Sequence, residues 1–383
     1  MPLTIGKGEN AMVNKKIRVM VVDDSILART MISNGLNASP RIEVVATSFN
    51  AQDAWNKVER FKPDVITLDV EMPGMNGIDF LKKLLPVYPV PIILVSSLDL
   101  RVFDALSAGA VDFVRKPEAG QNDAFIAGLT QKVVAACGAK VRLCPGAVPL
   151  SPAPPKPAVP GMGSRRPAAP SPLAGGKQPA LPAPPLLGNR PVLDQIIIGL
   201  GASTGGTEAT LEVMKRLPAD IPGMLIVQHM PVGFTQMYAE RLNRLCHMEV
   251  REAKGGDEIH RGLALLAPAD LQMRVVRMGN KYTVSCMPGE KVSGHRPSVD
   301  ALFHSMAEQV RCKMAGIIMT GMGRDGADGL LKMRQAGAYT IGQDKESSVV
   351  YGMPMVAYNI GAVQIQGSCE DIAGILIRHL MRL

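Results

Sequence analysis

Two α/β domains, each wound on both faces of a mostly parallel sheet, are the architecture that this 383-residue sequence predicts. Three observations predict it. Apolar runs of strand length alternate with stretches whose apolar positions recur at helical spacing, first over 17–137 and again over 191–383. A proline-rich segment, 138–190, separates the two halves. The length suits two or three domains, each able to bury its own core, and the 46% hydrophobic content is that of a globular chain.

Residues 1–16 read as a flexible tail without a secretory apolar region, which points to a cytoplasmic protein. Ile17 to Val22 is a buried strand that ends in Asp23-Asp24. Further strands are expected at 42–48, 64–68, 91–96 and 111–115, and helices at 25–38, 51–61, 76–85, 99–108 and 122–136. Five strands alternating with helices imply a parallel sheet, and such sheets bind ligands beyond the carboxyl ends of their strands. Polar residues gather at those ends: Asp23 and Asp24 after the first strand, Asp69 after the third, Ser96 after the fourth, Lys116-Pro117 after the fifth. Three carboxylates with one lysine and one hydroxyl suit a hard, oxygen-ligated cation beside a carboxylate that takes a phosphoryl group.

With those positions in that order, residues 17–137 resemble the receiver domain of two-component response regulators, a flavodoxin-like five-stranded parallel sheet. The resemblance implies that Asp69 is phosphorylated by a histidine kinase. It implies that Asp23, Asp24 and Asp69 hold Mg2+, and that Ser96, Lys116 and the aromatic Phe113 sense the phosphoryl group.

Residues 138–190 form a linker. With Pro191 they hold half of the chain's prolines, and too little apolar bulk to offset the entropy of ordering. They also hold seven basic residues and no acid, so they carry +7 of the formal net charge of +8. The rest of the chain is nearly neutral, and its folded parts give no sign of a basic face for nucleic acid. No apolar run has membrane-spanning length, so no direct membrane insertion is expected. The six cysteines are scattered, with no C-x-x-C, and read as free thiols.

The second half opens on an apolar run, Asp194 to Gly199, that leads through Gly201-Ala-Ser203-Thr-Gly205-Gly206 into a helix at 209–217. The turn fits G-x-S-x-G, in which small neighbours let a strained turn lift a serine hydroxyl out at the top of a sheet. Two rival readings fail on spacing: a dinucleotide fingerprint needs glycine where Thr204 stands, and a phosphate-cradling loop needs lysine where Thr207 stands. Next come a strand at 223–229 ending in His229, a helix to about 246, and a strand-rich stretch at 249–253, 263–267, 271–278 and 281–286. Helix 298–311, strand 315–320, helix 326–336, strands 339–343 and 361–366, and a last helix at 370–382 complete the chain. Ser203, His229 and Asp325 each sit just past an apolar strand, so parallel pairing would bring them to one rim as nucleophile, base and orienting carboxylate. Amides of Gly321-Met322-Gly323 could stabilise an oxyanion. Taken alone, His229 also reads as a packing histidine and Asp325 as a helix cap. His295 and His304 lack the partners of a metal site and read as structural or rim residues.

Residues 191–383 are similar to the catalytic domain of the CheB-type protein-glutamate methylesterases, chemotaxis response regulators that place receiver, linker and esterase in this order. The similarity rests on Gly201 to Gly206, Gln228-His-Met-Pro231, His295-Arg-Pro-Ser-Val-Asp300, Gly321-Met-Gly-Arg-Asp-Gly326 and Tyr351-Gly-Met-Pro354. It implies a catalytic triad of Ser203, His229 and Asp325, an oxyanion amide at Met322, and no cofactor in this domain. It implies phosphorylation-activated hydrolysis of glutamate γ-methyl esters on methyl-accepting chemoreceptors, with glutamine deamidation as a second acyl transfer that the same site could run. The chemotaxis histidine kinase would be the phosphodonor. The rival reading is a regulator whose second domain only binds a partner or nucleotide. The long linker and the N-terminal tail depart from the usual family pattern.

Overall fold

A computed structural model describes residues 15–97, 101–118, 120–141 and 184–383. Most of the expected tail (1–14) and of the expected linker (142–183) lies outside the described residues.

The first domain is the five-stranded parallel sheet that the alternation predicts. Its elements run β1 (Ile17–Val22), α1 (Ile26–Asn37), β2 (Ile42–Ser48), α2 (Ala51–Phe61), β3 (Val65–Asp69), α3 (Gly77–Leu84), β4 (Ile92–Ser96), α4 (Arg101–Ser107), β5 (Asp112–Arg115) and α5 (Asn122–Ala136). The strand order is β2-β1-β3-β4-β5. Helix starts are fixed locally: Ser25, Asn50 and Asn76 each accept a backbone N–H three residues on. Strands β3 and β4 are buried along their whole length, as a sheet covered by helices on both faces requires.

The second domain begins differently from expectation. Asp194 does not start a strand. Pro191–Gln195 forms a 3-10 turn, where proline suits the first helical position, and β6 is Ile197–Ala202. Helix α6 (Gly206–Met214) starts before residue 209 because Gly205, at φ 75°, takes the left-handed turn that sends the chain straight into it. There follow β7 (Gly223–Gln228), α7 (Phe234–Leu245), β8 (Glu249–Glu252), β9 (Leu263–Leu266), β10 (Gln272–Met278), β11 (Lys281–Met287), α8 (Val299–Gln309), β12 (Met314–Ile318), α9 (Ala327–Gln335), β13 (Tyr339–Gln343), α10 (Met353–Asn359), β14 (Ile365–Gly367) and α11 (Ile372–Met381). The periodicity did not predict α10, a short helix with Pro354 in its first turn.

Seven strands form one parallel sheet in the order β14-β13-β12-β6-β7-β9-β8, while β10 and β11 pair antiparallel as a separate hairpin. Strand order reverses between β6 and β12, the switch point at which open α/β sheets hold ligands. Among the described residues, no helix is long and apolar enough to cross a membrane.

Glycine in β6 lets α8 approach the sheet. A Cβ on Gly201 would lie 2.2 Å from Cγ1 of Val299. Overpacking of this kind costs about 1–3 kcal/mol. Gly201→Ala is therefore expected to lower the chemical-denaturation midpoint, and Val299→Ala in the same chain to recover part of the loss. Two additive losses would contradict this account.

Candidate active site

Neighbouring strands carry the three residues to one rim. β12, β6 and β7 lie side by side and parallel, so their carboxyl ends share an edge. Ser203 follows β6, His229 follows β7, and Asp325 stands on the loop after β12. His229 Nδ1 lies 3.1 Å from Ser203 Oγ, and Nε2 lies 2.8 Å from Asp325 Oδ2. An ionised carboxylate only accepts, so Nε2 carries the hydrogen and the Nδ1 lone pair faces the hydroxyl. The sequence-based juxtaposition is therefore present in the geometry.

The turn itself differs from expectation. Among the described residues, positive φ outside glycine occurs only at Lys62, Asp270 and Ser293, so the strain of a nucleophile elbow is absent from Ser203. Gly205 makes the turn instead. The Ser203 amide donates to Thr320 O, and its carbonyl accepts from Gly206 N and from Gln228 Nε2. A Cβ on Gly321 would lie 2.7 Å from Ser203 Cβ, so the loop 321–323 presses its backbone against the serine.

Asp325 is wholly buried and caps no helix of its own; Gly326 precedes α9. Its carboxylate reaches across to the start of α8. Oδ1 accepts from Ser298 Oγ at 2.7 Å and Asp300 N at 3.0 Å, and Oδ2 accepts from Val299 N at 2.8 Å as well as from His229. Burial works to raise the Asp325 pKa, but the bonds from His229, Asp300 and Ser298 outweigh it and hold the carboxyl below its usual range. His295 stacks on His229 with ring centroids 3.9 Å apart and planes 11° apart. Burial, followed by the nearby His229, lowers the His295 pKa to about 4, so this ring is neutral at pH 7. The sequence favours a structural or rim role for His295 over a metal site, without showing which ring it meets. Ser298, Gln228 and this stack escape that reading because short polar runs at strand and helix ends do not reveal what they face.

The receiver-like domain is seated beside this rim. Thr204, next to the nucleophile candidate, donates to Asp112 Oδ2 at 2.7 Å, and Lys132 Nζ holds the other Asp112 oxygen at 2.6 Å. Phe113 packs on Phe234 of α7 at 4.6 Å, and Phe103 stacks on Tyr238 at 5.7 Å. Arg241 bridges Glu208 and Ser107, and the Lys140 amide donates to Val349 O.

The acid cluster also forms. One carboxylate oxygen each from Asp23, Asp24 and Asp69 lie within 4.8 Å of one another, a hard oxygen set that fits Mg2+ with the balance of its shell from water or phosphate. Lys116 Nζ donates to Asp69 Oδ2 at 2.7 Å and lies 3.2 Å from Asp23 Oδ2. Burial raises the Asp69 pKa and the Asp23 charge adds to it, against the pull of Lys116. Burial opposes the Lys116 charge, yet the bond to Asp69 and the two carboxylates hold its pKa above the usual range. Ser96 Oγ is buried at the end of β4 with no hydrogen-bond partner among the described residues.

Comparison with known proteins points one way. Residues 198–376 match the CheB methylesterase family model, and residues 19–124 match the response regulator receiver domain. A protein-glutamate methylesterase/protein-glutamine glutaminase of Syntrophomonas wolfei is 46% identical over 372 residues, covering 96% of this chain and 99% of that protein. One of the same name from Syntrophotalea carbinolica is 44% identical, covering 94% and 96%. Among solved structures, the Thermotoga maritima CheB methylesterase catalytic domain is similar at 33% identity, covering 48% of this chain and 97% of that one, with a TM-score of 0.47.

A histidine held neutral in the fold but free to charge when unfolded destabilises the fold in acid. Because the folded His295 pKa of about 4 lies below its ordinary value of 6.5, the unfolded chain binds the extra proton first. Stability is expected to fall as pH drops from about 6.5 towards 4. His295→Phe is expected to flatten that slope, read from denaturation midpoints across this window; an unchanged slope would contradict the assignment.

Proposed function

The chain belongs to the family of CheB-type protein-glutamate methylesterases/protein-glutamine glutaminases, and from that premise we propose a phosphorylation-gated serine hydrolase acting on γ-methyl esters of chemoreceptor glutamates. The observation that carries the reading is the hydrogen-bonded chain Ser203 Oγ, His229 Nδ1, His229 Nε2, Asp325 Oδ2. Ser203 Oγ attacks the ester carbonyl as its proton passes to His229 Nδ1. The same proton leaves with methoxide as methanol, and a serine ester of the glutamyl side chain remains. Water, deprotonated by His229, then releases the free glutamate and restores the serine. Asp325 fixes the imidazole and stabilises its charged form. The Met322 amide, on a loop that Gly321 brings against Ser203, is the proposed oxyanion donor. Glutamine deamidation follows the same steps with ammonia as the leaving group.

Gating rests on the seat of the receiver domain. Asp112 and Phe113, on β5, touch Thr204 and Phe234, while Lys116, just past β5, holds the phosphoacceptor Asp69. A phosphoryl group on Asp69 would draw Lys116 and Ser96 to itself, and Phe113 would move with them and loosen its contact with Phe234. Mg2+ bound by Asp23, Asp24 and Asp69 would offset the phosphoryl charge. The phosphodonor is the chemotaxis histidine kinase, and the setting is the cytoplasm.

Methanol release from a methylated receptor tests the reading. Ser203→Ala is expected to lower it at least about a thousandfold, and survival of activity would overturn the mechanism. Asp69→Asn, or chelation of divalent cations, is expected to abolish stimulation by a small phosphodonor while sparing the basal rate. Asp112→Ala is expected to raise the basal rate by unfastening Thr204. Equal rates with and without phosphodonor in the wild type would overturn the gating.

A further inference from the structure

The last ladder bond between β6 and β7 is His229 N to Ala202 O, at 3.2 Å. Beyond it the two strands part, and the nucleophile and the base stand on separate loops. Besides the His229 imidazole, the last side chain of β7 also crosses that gap. Gln228, the final residue of β7 and 2% exposed, directs Nε2 at two carbonyl oxygens: Ser203 O at 2.8 Å and His229 O at 3.3 Å. Two acceptors call for a group with two hydrogens, and the carboxamide NH2 has two. The other end of the side chain gives up something for this. Oε1 is buried with no donor among the described residues, wedged where a Cβ on Gly206 would come within 2.3 Å. A buried carbonyl without a donor costs stability that an apolar side chain would not.

We propose that Gln228 is a positioning residue that sets the Ser203–His229 separation by clamping both backbones. It touches no reacting atom and acts through the two that do. This rests on the hydrolytic reading above. Asp325 orients the imidazole and Thr320 O anchors the Ser203 amide. Beyond the Ala202–His229 ladder bond and the 3.1 Å Oγ–Nδ1 contact itself, the clamp is what ties the backbone of Ser203 to that of His229. A misplacement of about 1 Å costs on the order of a hundredfold in rate.

The test uses the full chain with phosphodonor present. Gln228→Met keeps the length and removes both donors. Its kcat for the methyl ester is expected to fall about 10- to 100-fold with KM within about twofold. Labelling of Ser203 by a serine-directed phosphonate should slow by the same factor, per folded molecule. Gln228→Glu supplies the second readout. Next to two carbonyl oxygens its carboxyl has a raised pKa, and its protonated form regains a donor. Relative to wild type, its labelling rate should recover as pH falls, whereas that of Gln228→Met should not. Wild-type labelling by folded Gln228→Met would overturn the proposal. Should Gln228→Met not fold, a flat pH response in Gln228→Glu would overturn it. Labelling needs no receptor, so loss of methyl-ester turnover in the wild type would count against the hydrolytic reading alone.

Discussion

The Asp325 carboxylate is the point on which the second domain turns. It is a charge with no exposure to water, and it is tolerated because four donors surround it: His229, Ser298, Val299 and Asp300. A buried charge with a missing partner is expensive, so each donor must stand where it does. That requirement ties three distant pieces of chain together: the end of β7, the first turn of α8 and the loop after β12. Glycines at 201 and 326 make room, since a Cβ at either would strike Val299 at the head of α8. The negative charge also sits at the amino end of that helix, where the backbone dipole favours it. The imidazole is thus oriented by an acceptor whose own position is over-determined.

A second constraint acts between the domains. Strand β5 is short, and side chains at both of its ends make the contacts described above. Lys116 beyond its carboxyl end belongs to the acid cluster, whereas Asp112 and Phe113 at its start belong to the contact with Thr204 and Phe234. Asp112 is buried and shared between Lys132 and Thr204, so the bond beside Ser203 is part of a charge pair and not an isolated surface contact. In the proposed gating, a change of partner at Lys116 reaches the other domain through one strand, with no need for a path through either core.

Much of this was legible in the sequence because it rests on periodicity and on strand ends. Alternation gave both sheets, and polar residues after apolar runs gave Asp23, Asp69, Lys116, Ser203, His229 and Asp325. What stayed hidden depends on contacts between segments far apart in the chain. Nothing local reveals that Asp325 serves α8 instead of its own helix, or that His295 lies flat on His229. The motif implies a strained serine, yet within residues 201–206 it is Gly205 that takes the left-handed conformation. The apolar residues Ile196 to Ile198 suggest a strand from Asp194, but Pro191 opens a 3-10 turn that delays β6. Helix α10 carries no periodic signal long enough to see.

The seat of Asp325 at the head of α8 makes folding itself a safety catch. Until that helix has formed and docked, the acid has no amides to neutralise it and the imidazole has nothing to orient it. In the proposed mechanism, a nascent or partly unfolded chain therefore carries the serine without an oriented base.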